Sequence, residues 1–373
     1  MNRARVGGAI ALLLSASCAP APAPTHAPPP PAAPAASSAA SSAATDFPSE
    51  QVLAALHDHW LLRDRVDWPQ AERAYRAAIA AATDDAARAK AAVALLASQD
   101  DVHSNLQWQG RSFSHYHGFS EEELARLRPL MERDRAQTGR FEGRMLSDGV
   151  AYLVVPTVPV AGAEPVAAAS RQLQELVARL AREGARSWIV DLRLNGGGNI
   201  MPMLAGLRPL LGTGVVATSV DARGARVNAW VLAPDGVRMR DAAGERLLAP
   251  LDAAGEPVAA QAPVAVLLGP MTRSSGEGLA LAFRGRPRCV LVGEPTARGY
   301  CTGLEPVALP GGGTLMLATS FMADRAGHAC TDCIAPEIAV AGEANFDDPA
   351  ADPAVRAAAE RIRAPNAAGR PGS

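Results

Sequence analysis

The stretch VAVLLGPMTRSSGEGLALAF, residues 264–283, decides the fold. Val264 to Leu268 is a short apolar run bounded by breakers, the pattern of a buried strand. Gly269 and Pro270 halt it, and beyond Thr272, Arg273, Ser274 and Ser275 a helical pattern starts near Glu277. A serine where a buried strand meets a helix N-terminus stands at a cleft edge, beside backbone N–H groups and the positive helix end. An acyl-transfer nucleophile needs that setting, because the developing oxyanion must meet donors already in place. The same residues also make an ordinary cap, with Ser274 or Ser275 at the N-cap and Glu277 closing a capping box. Caps are the commoner use, so the segment alone reads as a cap.

Outward from this stretch the strand–helix alternation continues on both sides. Val150–Pro156 and Ser187–Leu192 read as apolar strands, with an amphipathic helix from Glu164 to Arg182 between them. A glycine turn and a helix from Met201 to Leu211 follow. Residues 213–260 read as β-hairpins, with turns at Ala222-Arg223-Gly224 and Pro234-Asp235-Gly236. After the helix at 275–284 come strands at Arg288–Val292, Gly303–Leu309 and Thr314–Ser320, the last two joined by Pro310-Gly311-Gly312-Gly313. Repeated β-α-β units predict an α/β fold with a mainly parallel sheet and right-handed crossovers. This core spans residues 146–342, with 213–260 as a β-hairpin insertion. Before it, residues 47–104 read as a small helical bundle and 105–145 as a connecting region holding a helix from Glu121 to Arg133. Residues 343–373 read as a C-terminal helix and tail.

The N-terminus reads as an export signal covering residues 1–18. Arg3 and Arg5 form a positive region, Gly8–Leu14 a short apolar one, and Ser15-Ala16-Ser17-Cys18 a small-residue cleavage zone. Cys18 is a candidate lipidation site, although Ser15 stands where a lipobox usually has leucine, so ordinary signal-peptidase cleavage is the alternative. Residues 19–46, almost all alanine, proline, serine and threonine, have nothing to bury and read as a disordered tether. The expected location is the bacterial periplasm, or the outer membrane through a lipid anchor, and that anchor would be the chain's link to a membrane. A net charge of −2 without a basic block points away from nucleic acid. In an oxidising compartment Cys289, Cys301, Cys330 and Cys333 are candidate disulfide formers, with three pairings open. Cys330-Thr331-Asp332-Cys333 has the spacing of half a zinc site, but no second pair accompanies it, so no metal or cofactor is expected.

Two further segments bear on the serine turn. Asp191-Leu192-Arg193-Leu194-Asn195-Gly196-Gly197-Gly198-Asn199 follows an apolar strand, and its glycines let backbone N–H groups approach an anion. No GKS or GKT follows, which removes the phosphate-loop reading and leaves an oxyanion hole or a plain tight turn. His103, in the polar loop Asp101-Val102-His103-Ser104, supplies a side chain able to act as a base near neutral pH.

Taken in order, these motifs resemble peptidase family S41, the tail-specific or C-terminal processing class. The resemblance is to the branch with tricorn and nisin-resistance proteases and to the related retinol-binding-protein repeats. The matching motifs are D-x-H-S at Asp101–Ser104, D-L-R-x-N-x-G-G at Asp191–Gly198, T-x-S-S-G-E at Thr272–Glu277 and G-E-x-T at Gly293–Thr296. The closing G-I-x-P-D-I-x-V motif is present as Cys333-Ile334-Ala335-Pro336-Glu337-Ile338-Ala339-Val340, and the likeness covers residues 47–342. It implies a ClpP/crotonase-like core and a peptide or protein substrate cleaved near its C-terminus. The stretch between the histidine motif and the core is too short for the PDZ domain many relatives carry.

Residue by residue, the resemblance makes Ser274 the nucleophile and the N–H groups of Ser275 and Gly197 the oxyanion donors, with Gly196 beside them. Many members use a lysine shortly after G-E-x-T; here Ala297-Arg298-Gly299-Tyr300 follows and the chain's only lysine is Lys90. Arginine does not deprotonate in proteins. The base therefore falls to His103, with Asp332 or Glu277 as candidate orienting acids. A non-catalytic protein holding a peptide or apolar ligand is the alternative from another class, and the intact serine, histidine and glycine turn argue against it. An acyl-CoA enzyme of crotonase type fits export poorly. No oligomeric state is implied.

Overall fold

In a computed structural model, residues 47–115, 120–251 and 261–363 are described. The expected signal segment with Cys18, the tether, and part of the hairpin and tail regions lie outside them. Three helices come first among the described residues: α1 (Ser49–His59), α2 (Trp68–Ala81) and α3 (Asp85–Ala97). Asp67 and Asp84 start α2 and α3 by accepting the Gln70 and Ala87 N–H groups, the usual work of an N-cap carboxylate. Then come β1 (Asn105–Trp108), β2 (Arg111–Ser114) and α4 (Glu121–Gln137).

The core alternates as its apolar runs predict: β3 (Glu142–Met145), β4 (Val150–Val154), α5 (Ala163–Arg182), β5 (Ser187–Asp191), α6 (Ile200–Gly206) and α7 (Arg208–Leu211). Four antiparallel strands follow, β6 (Gly214–Val220), β7 (Arg226–Ala233), β8 (Gly236–Asp241) and β9 (Gly244–Pro250). The alternation resumes with β10 (Val264–Leu268), α8 (Ser275–Phe283) and β11 (Cys289–Gly293). Last come β12 (Thr302–Leu309), β13 (Gly313–Ala323), β14 (Ile338–Ala339) and α9 (Pro353–Arg363).

Two sheets organise these elements. The first has six strands in the order β14-β11-β10-β5-β4-β3, parallel apart from β3. Its strands β4, β5 and β10 are buried at every position, as a sheet covered on both faces requires. On one face lie α5, α6 and α8, and on the other α9, whose Val355, Ala358 and Ile362 join Ile189 and Leu267 in a shared core. Each fully buried Leu or Val side chain contributes about 1.5–3 kcal/mol over leaving it exposed.

The second sheet is antiparallel, in the order β2-β1-β13-β6-β7-β8-β9, with β12 along the other edge of β13. It revises two sequence readings. Strands β1 and β2 lie in the stretch read as a connection, yet Asn105–Gln107 pair with Met316–Thr314 at the far end of the chain. The hairpin strands are not a separate insertion, because Thr218–Val220 of β6 pair with Ala323–Phe321 and continue the same sheet. The three N-terminal helices pack on this sheet, with Leu56, Trp60 and Leu96 sharing a core with Leu106, Leu315 and Leu317.

Candidate active site

The serine turn lies at the C-terminal end of β10, beside the glycine turn that follows β5, its parallel neighbour. The two turns are laced together. Thr272 Oγ1 donates to Leu192 O (2.8 Å) and Arg273 N–H to Asn195 O, while Ser275 Oγ donates to Gly198 O (2.6 Å). Contact this close needs glycine: a Cβ on Gly276 would stand 2.5 Å from Asn195 O, and one on Gly197 2.9 Å from Ser274 Cβ. Gly197 also has φ +110°, where a side chain is strained.

Ser274 itself has φ 54° and ψ −122°, a conformation that an L-residue keeps only when its surroundings impose it. Glu277 does so from below, accepting the Ser274 N–H at 3.0 Å, while its other oxygen accepts Thr296 Oγ1–H at 2.6 Å. Thr296 Oγ1 in turn accepts the Ile334 N–H at 2.8 Å. The Glu277 carboxyl is wholly buried, and burial pushes its pKa well above the usual carboxylate range. The G-E-x-T and closing motifs therefore support Ser274 from behind.

The structure brings His103 to this serine from 171 residues away, with Nε2 3.0 Å from Ser274 Oγ. Asp101 shapes the histidine loop. Its carboxylate accepts the N–H groups of His103 (3.0 Å) and Ser104 (2.8 Å), the Ser104 hydroxyl (2.6 Å) and Trp60 Nε1–H (2.7 Å). His103 Nδ1 lies 2.8 Å from Thr302 Oγ1, and the Tyr300 ring meets the imidazole edge-on at 5.4 Å between centroids. Burial lowers the His103 pKa to about 4; the Asp101 carboxylate opposes that shift and the Arg273 cation adds to it. Arg273 is held by its Nε–H to Gly196 O (3.3 Å), with its guanidinium over the Tyr300 ring.

Several expected roles fall differently. Neither candidate orienting acid serves the imidazole: Asp332 pairs at the surface with Arg298 (2.8 Å), and Glu277 holds the Ser274 backbone. The side chain at Nδ1 is a hydroxyl, Thr302, at the first position of β12 and far in sequence from the motif segments nearest His103. In the glycine turn, Gly196 N–H is taken by Thr157 Oγ1 (2.9 Å) and Gly197 N–H by Asn195 Oδ1 (3.0 Å). Among the described residues, the N–H groups of Gly198 and Ser275 form no hydrogen bond. No disulfide bond joins the four core cysteines, the candidate disulfide formers, in this structure. No helix among the described residues is long and apolar enough to cross a membrane.

The Asp191-Leu192-Arg193 motif turns its charges away from the serine. Arg193 binds Asp191 (2.6 Å) and Asp352 (2.9 Å), and Tyr152 Oη donates to Asp191 (2.7 Å), so the motif pins α9 to the back of the sheet.

A model of peptidase family S41 matches residues 149–340, more than half of the chain. The nisin-resistance protein of Lactococcus lactis subsp. lactis is 33% identical over 141 residues, which are 37% of this chain and 40% of that protein. Among solved structures, a lipoprotein from Streptococcus agalactiae superposes with TM-score 0.58 at 20% identity, covering 79% of this chain and 91% of its own. The photosystem II D1 C-terminal processing protease does so with TM-score 0.50 at 14% identity, over 83% and 95%. At such identities the likeness concerns the fold, an α/β core of ClpP/crotonase-like class.

Proposed function

The chain belongs to peptidase family S41, and we propose on that premise that it is a serine peptidase with Ser274 as nucleophile and His103 as base. The observation that carries this reading is the 3.0 Å contact between His103 Nε2 and Ser274 Oγ, made across 171 residues of sequence. With the ring hydrogen on Nδ1 and donated to Thr302 Oγ1, the Nε2 lone pair faces the serine hydroxyl. A pKa lowered to about 4 leaves the imidazole neutral at pH 7 and able to accept that proton.

Ser274 Oγ then attacks the carbonyl carbon of a peptide bond. The oxyanion is met by the Ser275 N–H at the start of α8, and by the glycine turn through the Gly198 N–H, in place of the Gly196 and Gly197 groups first expected. One such donor is worth about 10²–10³ in rate. The imidazolium gives its proton to the departing amine, and water, activated by the same nitrogen, releases the acyl group. Thr302 can orient the ring but brings no charge to offset the imidazolium. That contribution comes from Asp101, one residue beyond the Val102 spacer.

The substrate class is a peptide or protein, with cleavage near its C-terminus as the resemblance implies. Export follows from residues 1–18 and 19–46 and is part of the proposal; N-terminal sequencing of the mature protein checks it. Labelling with a fluorophosphonate probe tests the nucleophile: the wild type takes up one equivalent, and Ser274→Ala takes up none. Equal labelling of both proteins removes Ser274 from the role.

A further inference from the structure

Beneath the serine–histidine pair lie Cys301 and Cys330, 1% and 4% exposed. Their sulfurs and a Glu277 carboxylate oxygen all fall within 4.8 Å of one another. The backbone holds the two cysteines there: Met322 donates its N–H to Cys301 O (3.0 Å) and accepts the Cys330 N–H on its own O (2.8 Å). In an antiparallel strand the N–H and C=O of one residue face the same neighbour, so both cysteines line one edge of β13, end to end.

We propose that Cys301 and Cys330 are the disulfide-forming pair of this chain, and that their bond braces both halves of the serine–histidine pair. The bracing part rests on the function proposed above. On one side, Cys301 stands between Tyr300 and Thr302, the two residues that touch the His103 ring. On the other, Cys330 opens the segment that ends at Ile334, whose N–H holds Thr296, which holds Glu277, which holds the Ser274 backbone. A covalent link between the cysteines ties these two chains of contacts at their common base.

In the step itself two S–H bonds break and one S–S bond forms. Two electrons and two protons pass to an incoming disulfide, either a protein exchange partner or oxidised glutathione, which leaves as two thiols. With both sulfurs buried, exchange takes place during folding or through local opening. The other cysteines are placed differently. Cys289 begins β11 and feels the charges of Arg286 and Glu337, while Cys333 is half-exposed beside Asp332 and Arg298. A metal ion at the same cluster would compete with the Ser274 N–H and Thr296 Oγ1–H for the Glu277 carboxylate, which the disulfide does not.

The test starts with the full-length protein incubated with oxidised glutathione, then denatured, alkylated and digested. A cross-linked peptide containing Cys301 and Cys330, with Cys289 and Cys333 alkylated, is expected. A link between Cys330 and Cys333, alkylation of all four, or stoichiometric bound zinc with unlinked thiols overturns the assignment. For the bracing, the Cys289→Ser/Cys333→Ser variant leaves only the proposed pair in the core. Reducing it with a phosphine should lower kcat several-fold at unchanged KM and lower Tm by several degrees. An unchanged kcat overturns the bracing. The cross-link is read by mass alone, so its result is separate from that of the Ser274 labelling.

Discussion

The two halves of the candidate site are built in opposite ways. Ser274 sits on the parallel sheet, and most of what fixes it lies within its own motif: Glu277 three residues on holds its N–H, and Gly276 admits the neighbouring turn. His103 sits on the antiparallel sheet, two residues before β1, and everything that fixes its ring is remote: Thr302, Tyr300, and Trp60 through Asp101. Ser274 is thus set by a local strand–turn–helix, His103 by the pairing of β1 with β13 and β12 with β13. The pair forms only where the sheets meet, so each half can be disturbed without the other.

The strongest way to break the comparison is at the shared contact. His103→Ala leaves the strained serine turn untouched, because none of its supports involves the ring. Turnover of a peptide substrate should nevertheless fall by about 10³-fold or more, as when the base is removed from a serine–histidine pair. Circular dichroism and Tm should stay close to those of the wild type. Retained turnover would show that the Ser274 half works alone.

The next effect comes from pH. With the His103 pKa lowered to about 4, the acidic limb of kcat/KM should lie near pH 4 rather than 6.5. The sign for stability is the same. Between pH 6.5 and 4 the unfolded chain binds a proton that the folded one refuses, so this group's contribution is present above 6.5 and is lost as pH falls toward 4. Measuring kcat/KM from pH 3.5 to 8 decides it, and a limb at 6.5 would mean that water reaches the imidazole freely.

The same division explains how much could be read from sequence. The strand–turn–helix around Ser274, the β4, β5, β10 and β11 strands with their parallel sense, and the Ser274, His103 and Gly197 segments all declare themselves through short-range signals: apolar runs, glycine turns and motif spacing. The joining of β1 to the antiparallel sheet does not, because β1 is four residues long and finds β13 about two hundred residues away, while β2 pairs only with β1. Thr302 is hidden in the sequence for that reason. A threonine at a strand start has no local mark of function, and carboxylates are the residue type expected to orient a histidine. Asp332 and Glu277 had the chemistry but face Arg298 and the Ser274 backbone. The glycine turn was located, but which N–H stays open depends on Asn195 and Thr157, whose side-chain directions spacing does not convey.

Thr302→Val sharpens the comparison on the base side alone. Valine keeps the volume and β preference at the head of β12 and removes the acceptor for Nδ1–H. The ring then samples other orientations, and kcat should fall by about 10-fold with KM little changed. Thr302→Ser, which restores the hydroxyl, should recover most of the loss. A fall in KM alone, or no recovery with serine, would assign Thr302 to packing.

The smallest effect on turnover is expected at the back of the glycine turn, where the Asp191-Leu192-Arg193 motif looks most functional in sequence. Asp352 accepts from Arg193 with one oxygen, and with the other caps α9 through the N–H groups of Ala354 (2.9 Å) and Val355 (3.0 Å). Asp352→Asn preserves the cap's shape but removes a buried charge from Arg193, which keeps Asp191 as its remaining partner. Losing one member of such a buried network costs about 3 kcal/mol. At about 2–4 °C per kcal/mol for a domain the size of the core, thermal unfolding should show it clearly. Because these charges face α9 and not Ser274, kcat per folded molecule should stay within about twofold of the wild type, as for separate, non-contacting sites. A large loss of kcat at unchanged Tm would place the motif's charges in the chemistry and erase the separation between the turn's two faces.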